Sequence, residues 1–467
     1  MITSFFQRNR LFIYTTLLYF STIGCAGPRY TLTEACEDIV FIKNKIDSIH
    51  PNPYYSTSRN NFEQTIDSLI RSIADDKKLT QKELFLLLNP IIASLNDGHT
   101  RLIVPNNITF KSFFWGSKVL PLDLLIENDR MYVKNNLDNV SIELGSEISH
   151  INEIPIGKLI QTIKMNKYGD NDSMRIYAID NKSFPKDLWL YHGFNKHFSL
   201  QYITADGKDK KGSVKGIYQP SFYHKLGKLK EKEPTKLING ENGYYYEIPN
   251  DSLAIVHYSY FGGDRDSSFF HDVFANAKRQ GIKHLFLDLR GNGGGSTNTY
   301  KHIISYLSQD TLSVFAKAEY KVSKELLDQK IFGNDFQYAL DQIGLIVSIP
   351  ESFLNVVPYK TDIHYDGKFY CISDAGTFST ASSFCAFVKD NQLGLLVGKS
   401  TGGSGTSFGN YVSIQLPNSK LKCIISTTKY YRGNGNFCVV PVTPDVYVPF
   451  LGADVREILK LINHEAL

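Results

Sequence analysis

Three short segments of this 467-residue chain carry residue types suited to acyl-transfer chemistry. The first spans residues 371–403, CISDAGTFSTASSFCAFVKDNQLGLLVGKSTGG. An apolar strand pattern runs into a polar turn ending at Ser379. A helical pattern follows (Ala381, Phe384, Cys385, Phe387, Val388), then a second apolar strand, Leu395-Leu396-Val397. A serine on a strand-to-helix turn exposes its hydroxyl and leaves nearby N–H groups unpaired, as a nucleophile with an oxyanion hole requires. Taken alone, a Ser/Thr-rich helix N-cap has the same pattern. The second segment, LFLDLRGNGGGST at 285–297, runs from a buried-strand pattern into Gly291-Asn292-Gly293-Gly294-Gly295. Glycines at this density open backbone conformations closed to other residues and leave N–H groups unshielded. The spacings that cradle phosphates, GK[ST] and GxGxxG with an acidic partner, are missing. The third, LNDGHTRLIV at 95–104, ends a helical pattern, turns at Asp97-Gly98 and opens a strand with His99. Histidine titrates near neutrality and can take and return a serine proton.

In this order and spacing, the three segments resemble the tail-specific, or C-terminal-processing, serine peptidases. The tricorn protease core and the interphotoreceptor retinoid-binding proteins are relatives of that family. The resemblance rests on Asp97-Gly98-His99-Thr100 and on Asp288-Leu289-Arg290 with Gly291 to Gly295. It also rests on Thr377-Phe378-Ser379-Thr380-Ala381 with the run Val397 to Gly403, and on LPNSKL (416–421) and TPDVYV (443–448). It implies Ser379 as nucleophile, a polypeptide substrate, and no metal or organic cofactor. One branch of the family carries a lysine base at the position that is Ser404 here. Lys399 stands where relatives have a glutamate and reads as a surface charge. The branch resembling tricorn uses the histidine of the DGHT region, which implies His99 as general base. The resemblance also implies an oxyanion hole from the N–H groups of Gly294 and Thr380, with Gly293 or Gly295 as alternatives to Gly294. The residue that orients His99 stays open. A strand starting at His99 would turn the Asp97 side chain to the other face. No glutamate stands near Phe437-Cys438-Val439, where relatives often carry one. The alternative function is a non-catalytic protein of the same fold that binds peptides or an apolar ligand.

Composition narrows the class. Hydrophobic residues make up 42% and charged residues 21%, as in ordinary globular proteins. A net charge of +4, dispersed along the chain, argues against a nucleic-acid groove. The expected fold is mixed α/β (α+β). Residues 25–105 form a helical N-terminal region ending in the DGHT motif, with Ile39, Ile42, Ile46 and Ile49 on one face and a capping box at Thr80 and Glu83. Residues 106–205 form a β-rich domain whose run Leu144 to Ile156 resembles the core of PDZ domains. Residues 206–240 read as a linker or hairpin. Residues 241–467 alternate strands and helices, and the resemblance implies a ClpP/crotonase-like αβ catalytic core there. Helices are expected at 266–280 and 296–308, and an amphipathic one at 454–462.

Residues 1–24 read as a signal peptide, with Arg8 and Arg10 before an apolar run from Leu11 to Phe20. Ser21-Thr22-Ile23-Gly24-Cys25 resembles a bacterial lipobox with Cys25 as the acylated residue; an ordinary signal peptide is the alternative. The expected location is the bacterial cell envelope, on a membrane-held lipid anchor. Five further cysteines, Cys36, Cys371, Cys385, Cys423 and Cys438, fit no zinc spacing. Oligomeric state is not legible in the sequence. If Cys25 is the mature N-terminus, mass spectrometry of the native N-terminal peptide will find it diacylglycerol-modified; an unmodified N-terminus at any other residue rules the anchor out.

Overall fold

The computed structural model describes residues 28–73, 78–109, 117–138, 140–180, 183–230, 244–331, 341–449 and 455–465. The expected signal segment and Cys25 lie outside these residues. Among them, no helix is long and apolar enough to cross a membrane.

Three helices open the described chain: α1 (Leu32–Ile49), α2 (Arg59–Ser72) and α3 (Gln81–Ala93). Thr31 with Glu34 and Thr80 with Glu83 form capping boxes that satisfy the first N–H groups of α1 and α3. The stripe Ile39, Ile42, Ile46 and Ile49 faces Phe62 and Ile66 of α2, Leu84 and Leu88 of α3, and a sheet formed mostly by the C-terminal half of the chain. After α3 the chain turns through residues 94–100 into the two-residue strand β1 (Arg101–Leu102). Leu102 pairs with Cys423 and Arg101 with Ile424, so β1 stitches the helical region onto that sheet.

A β-rich middle domain follows. Its strands are β2 (Leu122–Glu127), β3 (Arg130–Asn136), β4 (Glu147–Ile151), β5 (His197–Ile203) and β6 (Asp209–Lys215), in the antiparallel order β6-β5-β4-β3-β2. Helices α4 (Ile156–Lys164), α5 (Asp172–Asp180) and α6 (Phe184–His192) connect β4 to β5 and close the domain's core through Ile160, Ile163, Ile179 and Leu188. Of the segment 206–240, read as a linker or hairpin, residues 231–240 lie outside the described residues; the part before them forms a hairpin strand and a helix. It holds β6, paired with β5 from Asp209 to Lys215, and then helix α7 (Gln219–Lys230).

Among its described residues, the rest of the chain forms two large sheets and a two-stranded ribbon pairing Leu312–Ser313 with Asn355–Val356. Its elements are β7 (Tyr244–Asn250), β8 (Leu253–Tyr258), α8 (Ser267–Gln280), β9 (His284–Asp288), α9 (Thr299–Ile304), β10 (Phe315–Lys321) and β11 (Ile346–Ser348). Then come β12 (Lys368–Ser373), α10 (Thr380–Asp390), β13 (Leu395–Gly398), β14 (Ser407–Gln415), β15 (Lys422–Arg432), β16 (Val446–Tyr447) and α11 (Val455–Glu465). The first sheet runs β7-β8-β9-β12-β13-β16, parallel except for β7. Phe270, Ile303 and Phe384, from α8, α9 and α10, pack in one core; α11 packs Val455, Ile458 and Ile462 against Phe286, Tyr370 and Val397 in another. The second sheet, β11-β10-β15-β14, carries β1 as an extra partner of β15. The helix expected over 296–308 is shorter, at 299–304. Gly295 and Ser296 are held extended against Phe261, whose carbonyl accepts the Ser296 N–H at 2.8 Å, so the helix cannot start before that contact ends.

One buried charge ties the two ends of the protein together. Asp38 of α1, fully shielded from solvent, accepts the N–H groups of Asn418 and Ser419, each at 2.8 Å, in the turn between β14 and β15. Replacing it leaves two buried donors unmatched. Asp38→Ala should lower unfolding stability by about 3 kcal/mol, read as a reduced urea midpoint; an unchanged midpoint contradicts this.

Candidate active site

Parallel strands deliver their C-terminal ends to one edge of the sheet, where ligand sites of open α/β folds form. Here β9 ends in the glycine loop 291–295, and β12 ends in the turn 374–379. The two are laced together. Thr377 Oγ1 donates to the Leu289 carbonyl at 2.8 Å, Phe378 N–H to the Asn292 carbonyl at 2.9 Å, and Gly291 N–H to Asp374 Oδ1 at 2.9 Å.

Ser379 sits at the end of that turn with φ 54° and ψ −126°, outside the regions ordinary residues occupy. Such strain costs on the order of 1–3 kcal/mol and persists only where the surroundings over-determine it. Here Asn292 holds the preceding residue, while the Ser379 carbonyl accepts from Ser383 N–H at 3.0 Å and Ser382 Oγ at 2.8 Å. Although Ser379 is the N-cap residue of α10, its side chain makes no capping bond, and the hydroxyl points away from the helix. Its Oγ lies 3.0 Å from His99 Nε2, across 280 residues of sequence.

His99 is buried in the turn before β1. Its ring stacks on Phe378, with centroids 4.6 Å apart and planes inclined by 29°. Gly98 is what permits this approach, since a Cβ there would lie 2.6 Å from Phe378 Cζ. The Asp97 side chain points inward, not to the opposite face. Its Oδ1 accepts the His99 backbone N–H at 2.9 Å and lies 3.9 Å from His99 Nδ1. Oδ2 accepts from His50 Nε2 at 3.1 Å, Thr100 Oγ1 at 2.5 Å and Ser426 Oγ at 2.5 Å. Burial alone would raise the Asp97 pKa. The bonds from His50 and Ser426 and the nearby His50 and His99 overcome it, and hold the carboxyl below the usual range. Burial, reinforced by Arg101, pushes the His99 pKa below its ordinary value against the pull of Asp97. The imidazole is therefore neutral at pH 7. Its Nδ1 has no hydrogen-bond partner among the described residues.

Thr380 N–H opens α10, where the helix itself supplies no acceptor and the dipole favours negative charge. The Gly294 N–H, expected beside it, is donated instead to Asn292 Oδ1 at 2.8 Å. Gly294 has another part. With φ 101°, it lets the loop lie against the Ser379 turn, since a Cβ would stand 2.8 Å from both Ser379 Cβ and Thr380 N. The exposed Gly293, one residue earlier, meets nothing within 4 Å at its Cβ position. Ser404 is buried near the site, its Oγ without a partner among the described residues and its N–H on Asp170 Oδ2 at 3.2 Å. Lys399 lines a cleft between the middle domain and the sheet, together with Tyr177 and Ala375. All five cysteines after Cys25 are free thiols, and the described residues hold no cluster of three or more metal-ligating side chains. His50, Phe378 and Asp170 were not singled out in the sequence. The one available hint of His50 is its place at the head of the run His50-Pro51-Asn52-Pro53, where the prolines end the preceding helix.

The sequence of residues 252–448 matches the profile of peptidase family S41. Among solved structures, mature CPAF superposes with a TM-score of 0.66 at 16% identity, covering 93% of this chain and 99% of that one. A CPAF mutant superposes at 0.65, with 16% identity over 91% and 94% of the two chains. At this identity the likeness speaks to the fold. No curated protein sequence gives a significant match. Gly294→Ala should reduce turnover by about 100-fold by displacing Ser379, with an unchanged circular dichroism spectrum. Near-normal turnover would show that the loop tolerates a side chain there.

Proposed function

We propose that this chain, a serine-type hydrolase belonging to peptidase family S41 through residues 252–448, cleaves polypeptides with Ser379 as nucleophile and His99 as general base. The observation that carries this reading is the 3.0 Å contact between His99 Nε2 and the hydroxyl of a strained, uncapped serine. The neutral imidazole takes the hydroxyl proton as Oγ attacks the scissile carbonyl carbon. The carbonyl oxygen becomes an oxyanion facing the Thr380 N–H and, in place of Gly294, the Gly293 N–H. His99 then returns the proton to the leaving amine as the C–N bond breaks. Water, activated by the same nitrogen, hydrolyses the acyl-enzyme. The Asp97 carboxylate, 3.9 Å from Nδ1, favours the transient imidazolium by charge, while Phe378 keeps the ring in plane.

Substrate segments would reach this centre in extended form, held by the PDZ-like middle domain. Its β2 edge is covered, because Asp180 of α5 accepts the Ile126 N–H at 2.8 Å. The opposite edge, β6, is exposed from Asp209 to Gly212 and suits strand addition. Action at the cell envelope rests on the lipobox-like N-terminus. The unpartnered His99 Nδ1 favours the second reading, a non-catalytic peptide-binding protein, and a direct assay separates the two. Ser379→Ala should abolish cleavage of unfolded casein, and His99→Ala should lower kcat by at least about 1,000-fold. Because burial lowers the His99 pKa, its protonation should cut wild-type kcat/KM only below about pH 6.5. That step should vanish in His99→Ala. A Ser379→Ala variant as active as wild type overturns the assignment.

A further inference from the structure

Ser379 and His99 belong to different parts of the fold, and their contact depends on two loops keeping register. One is the base loop, 96–100. The other is the segment 400–406, which lies against the nucleophile turn: Gly403 N–H donates to the Thr377 carbonyl at 3.0 Å, and a Cβ on Gly403 would stand 3.0 Å from Ser379 N. Phe378 packs on both loops, and among the described residues the side chain of Asp170 is hydrogen-bonded to both while belonging to neither. Asp170 lies between α4 and α5 of the middle domain. Its Oδ1 accepts the Gly98 N–H at 2.8 Å and its Oδ2 accepts the Ser404 N–H at 3.2 Å. Separate contacts dock the same segment. Asn171 Nδ2 donates to the Gly402 carbonyl at 2.8 Å, Arg175 donates to the Ala93 carbonyl at 2.7 Å and to Asn96 Oδ1, and Asn89 of α3 donates to the Asn166 carbonyl at 2.7 Å.

We propose that Asp170 is a positioning residue: its two carboxylate oxygens hold the residue before His99 and the loop beside Ser379 at a set separation, so that the middle domain completes the catalytic geometry. This rests on the reading of Ser379 and His99 as the catalytic pair. The role requires a carboxylate. An amide offers one acceptor and turns its NH2 toward a backbone donor, so one of the two loops is released. Displacement by about 1 Å at a reacting pair costs up to about 100-fold in rate. The role also depends on ionisation. Burial and the charge of Asp97 push the Asp170 carboxyl up to about 7, against the N–H groups of Gly98 and Ser404 and against Arg175. Tyr55, near Asp97 and Asp170, stays protonated, its pKa raised chiefly by burial. Above its pKa the carboxylate accepts both N–H groups; below it, the acid proton occupies one oxygen and one bond is lost.

The test uses the full-length protein with unfolded casein and, separately, with a fluorophosphonate that labels Ser379. Asp170→Asn should lower kcat and the labelling rate about 10- to 100-fold, with KM changed less than about threefold. Asn171→Ala, which cuts a neighbouring contact of the same loop, should retain most activity. Wild-type kcat/KM should fall in two steps as pH drops, one near pH 7 and one lower; Asp170→Asn should lack the upper step. Equal losses in both variants, or an upper step that persists in Asp170→Asn, would mean that domain docking in general matters and Asp170 in particular does not. If Asp170→Asn fails to fold, the wild-type profile decides: a single-step acid limb overturns the proposal. Wild-type protein that neither cleaves nor labels overturns the peptidase reading and this one together, whereas an active wild type with an unimpaired Asp170→Asn overturns this one alone.

Discussion

The buried Asp97 carboxylate is the constraint on which the site depends. A charge taken out of water is tolerated only when donors surround it. Here they come from the residue that ends α1, from the base loop itself, and from β15, in the persons of His50, the His99 backbone, Thr100 and Ser426. None of these can shift without leaving the carboxylate short of a partner. Satisfying one anion therefore brings the helical region, the loop that bears the histidine and the second sheet into a fixed relation. The same anion lies close enough to His99 to favour a positive imidazole, while burial pulls the ring's pKa the other way, below its ordinary value.

A second constraint is the absence of side chains where loops must touch. The glycine loop meets the Ser379 turn at Gly294, and the His99 loop meets Phe378 at Gly98, at separations that leave no room for a Cβ. Close backbone approach lets Asn292 serve both loops: its carbonyl holds Phe378, its side-chain oxygen holds Gly294, and its amide holds the Tyr258 carbonyl at 2.7 Å. The strain at Ser379 is carried by these bonds. The middle domain adds a third layer through the segment that joins α4 to α5, which reaches both α3 and the glycine-rich loop after β13.

Much of this protein was legible in local sequence. Apolar spacing located α1, α2 and α3, and Thr80 with Glu83 marked a helix start, because period and capping are properties of a few neighbouring residues. The strand–turn–helix around Ser379, the glycine run and the DGHT segment were visible for the same reason. Tertiary contacts decided the rest. Which way Asp97 points depends on donors 47 and 329 residues away, at His50 and Ser426. Whether the Gly294 N–H is free depends on the rotamer of Asn292. That Asp170 joins two loops of other domains leaves no trace in spacing or composition, since its acceptors meet backbone N–H groups that every residue but proline carries. Sequence by itself determined which residues have the chemistry for acyl transfer; only the folded chain decided which polar atoms remain unpaired to perform it, because a hydrogen bond between distant segments exists in the packing and nowhere in the order of residues.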